Sequence, residues 1–238
     1  MSFIFIACFG QILQGSIKTD IYTAYINGSM QSWKQIMDEM DKNRSTQPDY
    51  ILELVNYQYG YIAWCLDHEK DNEAEKYLAM AGKNIEWLEG IGFNLSMINA
   101  YKAAFYGFRI GMAPIKSFYY GSKCVHCAQN AIDLDRENPY GYIQYGNTRY
   151  YTPAAFGGSK QEAIKYYVKA EMLMEKNPEQ IKNDWNYLYL LTTIANAYID
   201  TKQPEMARVY FEKILRVEPD YQWVKNELYP QFLNDLKK

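Results

Sequence analysis

Histidine is nearly absent from this 238-residue chain, which has two. A serine–histidine or cysteine–histidine catalytic pair therefore has almost nothing to draw on. Proline and glycine are also scarce and sit where helices would start and stop, which excludes a turn-rich all-β fold. Four cysteines are too few for a disulfide scaffold at this length. Lys and Arg never form a long run, and the net charge is −3, so no electrostatic footprint for nucleic acid is present. No apolar run approaches the ~20 residues of a membrane span. Gly157-Gly158 lacks the further spacing and the lysine of a phosphate loop, and neither GxSxG nor HExxH occurs. The expectation is a protein without enzymatic activity, cofactor, nucleic-acid partner or membrane-spanning helix.

What is abundant is tyrosine, with 24 copies, in a chain that is 48% apolar. Tyrosine packs its ring in a core while its hydroxyl reaches water or a partner. Two readings follow: packing between helices, or a tyrosine-rich groove for a ligand. The apolar stretch 3–9, FIFIACF, followed by GQILQGS, reads as the remnant of a secretory leader spanning residues 1–16, which places the protein in the periplasm or otherwise outside the cytoplasm. The alternative is a short buried N-terminal element in a cytoplasmic protein.

The stretch from Asp184 to Asp220 carries Leu191, Ile194, Ala195 and Tyr198 at W-x2-L-G-x2-Y spacing, then Ala207 and Phe211 at A-x3-F, then Pro219. This resembles the tetratricopeptide repeat, a helix–turn–helix unit of about 34 residues. Laid along the chain, the spacing finds repeats at about 48–90, 93–136, 138–176 and 178–219. Ile17 to Asn43 should form two helices around Asn27-Gly28, and a capping helix should cover 221–236. The implied fold is all-α, a right-handed α-solenoid of three to four such repeats with terminal capping helices.

The irregularities are informative. Pro114 falls where a helix interior is expected, so a break is predicted at Gly111–Pro114, with a long helix from there to about Leu134. In the third repeat the turn between helices is five residues longer than the spacing allows, within TPAAFGGS. Ser159 with Glu162 then reads as a capping box. Asp71 is the expected cap of the first repeat's second helix, and Asn177-Pro178 the start of the fourth repeat.

NPYGYIQYGN (138–147), FGGS (156–159), KNDWNYL (182–188) and WVKNELYP (223–230) also resemble segments of small exported tetratricopeptide proteins of Bacteroidetes-type bacteria. That resemblance implies fold and export but no activity. Tetratricopeptide arrays generally bind proteins or peptides in the groove formed by their first helices. The positions that would face the groove include Tyr140, Asn147, Tyr150 and Tyr151 in the third repeat, and Tyr189 and Asn196 in the fourth. Phe156, at the tip of the inserted loop, would be an anchor. The lysines that clamp a peptide carboxylate in this family are replaced by Ile143 and Thr192, so the groove is neutral and aromatic. The expected function is a protein- or peptide-binding scaffold. The alternative is a transport-associated protein whose concavity closes over a small ligand.

One metal set competes. Cys65, His68, Cys124 and Cys127 form two pairs at i, i+3, each on one helix face, and could bind zinc tetrahedrally. Against it, Cys65 and Cys127 fall on core positions of the repeat, where a free thiol behaves as a small hydrophobe.

Overall fold

The computed structural model describes residues 17–237. The apolar stretch 3–9 and the expected leader lie outside the described residues. All regular structure among those described is helical, an all-α helical-repeat fold. Residues 17–26 form α1, followed by α2 (Met30–Lys42), α3 (Pro48–Asp67), α4 (Asp71–Gly90), α5 (Leu95–Met112), α6 (Ser117–Leu134), α7 (Pro139–Tyr151), α8 (Lys160–Met174), the single turn α9 (Pro178–Ile181), α10 (Trp185–Asp200), α11 (Pro204–Val217) and α12 (Tyr229–Asp235). The tightest pairs are sequential hairpins: α3 with α4, α5 with α6, α7 with α8, and α10 with α11. First helices then stack on their neighbours, α3 on α5 and α5 on α7.

Local chemistry explains most boundaries. Asn138 accepts from the Tyr140 amide and Pro139 occupies the first helical position, where its missing N–H costs nothing. Asp184 caps α10 through the Asn186 amide. The break before α6 is as expected: α5 stops at Met112, Ala113 is extended, and Pro114–Lys116 make one 3-10 turn.

Several expectations are corrected. Asp71 is the first residue of α4 rather than its cap, and Lys70 holds the capping position without a side-chain bond. Asn177 makes no cap either: Pro178 starts only α9, and the fourth repeat's first helix begins at Trp185. Ser159 caps α8, but Glu162 does not return the bond; its carboxylate pairs with Arg149, the stronger charged partner. The tail is not one regular helix. Val224–Leu228 widen into a π-turn immediately before Pro230, whose ring would clash with the carbonyl one turn back in a regular helix.

The largest departure is in the middle of the array. In an open solenoid each repeat touches only its neighbours. Here the α1–α2 hairpin bridges the first repeat and the last. Lys18 donates to the Gln180 carbonyl at 3.0 Å, Tyr22 to Glu218 at 2.7 Å, and Tyr221 to the Tyr25 hydroxyl at 2.7 Å. Trp185 of α10 packs edge-on to Trp33 of α2, with ring centres 5.0 Å apart, and lies against Tyr25 and Tyr59. Gly60 of α3 makes room for this: a Cβ there would sit 2.6 Å from the Trp185 ring and 2.9 Å from Trp33. These rings form an aromatic core that joins α1 and α2 to α3 and α10. Burial of each such ring contributes roughly 2–3 kcal/mol, and each ring pair about 0.5–1.5 kcal/mol more.

Candidate functional site

Two clefts lie beside this aromatic core among the described residues. The first, about 390 Å³, lies where α1, α3, α5 and α7 meet, lined by Lys18, Asp49, Glu53, Asn56, Tyr101 and Tyr140 among others. The Tyr101 hydroxyl donates to Asn56 at 3.0 Å. One Glu53 oxygen accepts from Tyr57, and the other is buried without a partner. Burial pushes the hydroxyl pKa of Tyr101 and Tyr140 well above the usual phenol value, so both remain donors. Burial also raises the Asp184 carboxyl, against the opposing bonds from Asn186.

The second cleft, about 570 Å³, lies between the C-terminal ends of α7 and α10 and the inserted loop, with Tyr150, Tyr151, Pro153, Lys160, Asp200 and Thr201 in its wall. The insertion is a built structure. Ala154–Phe156 form a 3-10 turn, and Gly157 has φ +88°, a conformation that favours glycine. Gly158 lies so close to the chain that a Cβ would sit 1.7 Å from the Thr152 carbonyl oxygen. The Ser159 amide donates to the Arg149 carbonyl at 2.7 Å, closing the loop onto the end of α7. Across the cleft, Asp200 accepts from the Tyr150 hydroxyl and from Lys160 at 2.6 Å, and the lysine lies over the Tyr150 ring at 4.8 Å. Burial pushes the Asp200 carboxyl up, but the bonds from Lys160 and Tyr150 outweigh it and hold its pKa below the usual range.

The sequence candidates are distributed over this geometry rather than gathered by it. Tyr140 lines the first cleft, and Tyr150 and Tyr151 line the second. Tyr151 is 73% exposed, with no hydrogen-bond partner among the described residues. Phe156 is 82% exposed on the 3-10 turn, outside the residues that wall the cleft. Asn147 is spent internally, donating to Gln144 at 3.0 Å and accepting from Tyr167 at 2.8 Å. Tyr189 packs against Trp185. Asn196 is half-buried on α10 with no hydrogen-bond partner among the described residues.

The metal alternative is not brought together. Cys65 is buried in the main core, whereas Cys127 packs with Cys124 in a separate cluster between α5 and α6. His68 holds the Trp64 carbonyl at 2.9 Å. Burial pushes the Cys65 thiol up to about 11 and Cys124 up to about 12, which keeps both protonated. Among the described residues no three His, Cys, Asp or Glu side chains converge on a point.

Two features escaped the residue patterns. Lys160 completes the Tyr150–Asp200 network through the fold of the loop, which no spacing encodes. The aromatic bridge has one readable signal, Gly60 inside an otherwise apolar helix, since an interior glycine marks a close approach.

No family model and no curated protein matches the chain. Among solved structures, the HusA haemophore from Porphyromonas gingivalis is similar in fold, with a TM-score of 0.53 at 16% identity, over 76% of this chain and 92% of that one. The chain therefore shares its all-helical architecture with a haemophore of the Bacteroidetes.

Proposed function

We propose that the protein is a non-enzymatic binding protein that takes a compact ligand, of the tetrapyrrole class, in the cleft beneath the inserted loop. The observation that carries this reading is the aromatic bridge. An extended peptide needs a continuous groove, and Trp185, Trp33 and Tyr25 occupy the middle of this one. A flat ligand needs only an edge cleft with aromatic walls, and Tyr150 and Tyr151 supply those at the second cleft. The shared fold with a haemophore supports the same ligand class. The Tyr151 hydroxyl has no hydrogen-bond partner among the described residues, and tyrosine is an established protein ligand of haem iron, although burial pushes this hydroxyl's pKa up and iron would have to displace its proton. An exported location belongs to this proposal, supported by the apolar stretch 3–9.

The test is titration with haemin, followed in the Soret band, beside iron-free protoporphyrin. Tyr151→Phe should shift the haemin spectrum while leaving protoporphyrin affinity nearly unchanged. Tyr151→Ala should weaken both. Failure of the wild-type protein to bind either compound would sink the reading.

A second reading, capture of a protein partner, is favoured by the bare Phe156 side chain. On that reading Phe156→Ala weakens partner capture without lowering the melting temperature. Capture unaffected by the substitution would remove it.

A further inference from the structure

The α5–α6 hairpin differs chemically from the rest of the molecule. Between Glu89 and Asp133 there is not one acidic side chain, although the chain carries 28. The cations in that interval are Lys102, Arg109, Lys116 and Lys123. Lys102 is tied to Glu89 at 2.8 Å. None of the other three has an acidic partner among the described residues: Arg109 lies over the Tyr120 ring, Lys123 lies over the Tyr119 ring at 3.7 Å, and Lys116 is unpaired.

These cations flank an apolar tip. Every residue from Pro114 to Tyr119 is exposed. Phe118 is 89% exposed, Ile115 74% and Tyr119 61%, so three large side chains stand in water at the turn between α5 and α6. Scattered apolar residues on a surface are ordinary. Three on one exposed turn, flanked by cations that have no acidic partner among the described residues, are the composition of a segment that lies in a membrane interface. Aromatic rings insert at the acyl boundary, and lysines remain at the level of anionic headgroups. An acidic protein partner would match the charge, but its binding energy would have to come from hollows that enclose the rings. Side chains this exposed, on a turn between two helices, are suited to a fluid apolar layer.

We propose that this turn, with Ile115, Phe118 and Tyr119 inserted and Arg109, Lys116 and Lys123 above them, docks the protein on an anionic phospholipid bilayer. The site is distinct from both clefts, so its success or failure is independent of the ligand.

The experiment is co-sedimentation of the full chain with vesicles of phosphatidylcholine alone and of equal parts phosphatidylcholine and phosphatidylglycerol. Binding to the anionic vesicles is expected, weakening with added salt, and at least tenfold weaker on the neutral ones. Lys116→Gln with Lys123→Gln should reduce it about 25-fold, taking roughly fivefold per cation near the surface. Phe118→Ser should reduce it comparably without moving the melting temperature, because that side chain is 89% exposed; the melting temperature of the double lysine variant is measured beside it, since Lys123 is half-buried over the Tyr119 ring. Equal binding to both vesicle types would overturn the proposal. So would binding that survives in every variant, which would assign it to another segment such as residues 3–9. Absence of vesicle binding together with capture of an acidic protein by the same tip would overturn it as well.

Discussion

Hairpins α10–α11 and α5–α6 are both sequential antiparallel helix pairs, and they bury very different amounts of themselves. Helix α10 buries eleven of its sixteen residues, including Trp185, Leu188, Leu191 and Ala195. Helix α6 buries three of eighteen, all in its second half. The difference follows from position and from one proline. α10 is packed by α11 and α8 and is crossed by the N-terminal hairpin. α6 starts at the break that Pro114 imposes, so its first turn leaves the packed body. Regular repeats hold the molecule together, and irregular ones expose side chains that structure alone would not require.

The strongest way to break this contrast is at Trp185. Trp185→Ala should cost about 3–5 kcal/mol, the usual range for emptying a large aromatic site, measured by urea denaturation. A cost under ~1 kcal/mol would show that the bridge between the first and last repeats is not what stabilises α10. Gly158→Ala comes next. Its Cβ meets backbone rather than a flexible side chain, so about 1–3 kcal/mol of strain is expected, relieved by moving the loop. The readout is a lower melting temperature together with weakened ligand binding at the second cleft. A variant with unchanged binding would separate the loop from the site.

Acid should act on the α8–α11 side before it acts on α5–α6. Burial pushes the Glu175 carboxyl up, but the bonds from Lys213 and Tyr187 outweigh it and hold its pKa below the usual value. The unfolded chain therefore takes up that proton first as pH falls. The stabilisation is present above the unfolded carboxylate pKa and is lost as pH drops through the folded one. Stability measured from pH 6 down to pH 3 should decline, and Glu175→Gln should flatten the decline slightly, since the pair is partly exposed and screened. The smallest effect is at the other hairpin. Phe118→Ala should stay within about 0.5 kcal/mol of wild type. A larger loss would mean the tip is packed and would remove the contrast.

Much of the architecture was legible. Apolar positions at helical spacing located the hairpins, Asn138-Pro139 marked the start of α7, and Pro114 marked the break before α6. Caps were less legible: Asp71 falls one residue inside α4, and Asn177 stands at the cap of the single turn α9 without making a side-chain bond, while α10 starts only at Trp185. The candidate residues do not share one arrangement. Tyr150 and Tyr151 do border a cleft, yet Asn147 on the same face is consumed by Gln144 and Tyr167.

The sequence by itself determined that this chain is helical and where a proline breaks a helix or a turn is lengthened, because helix periodicity, proline geometry and turn length are local properties of the chain. Only the tertiary structure decided that the N-terminal hairpin packs its rings against α10 and bonds to the C-terminal segment. Tyr22 and Glu218 are 196 residues apart in the chain, and no local pattern encodes a contact at that separation. It depends on how far the stacked helices curve and on whether Gly60 lets Trp185 reach Trp33.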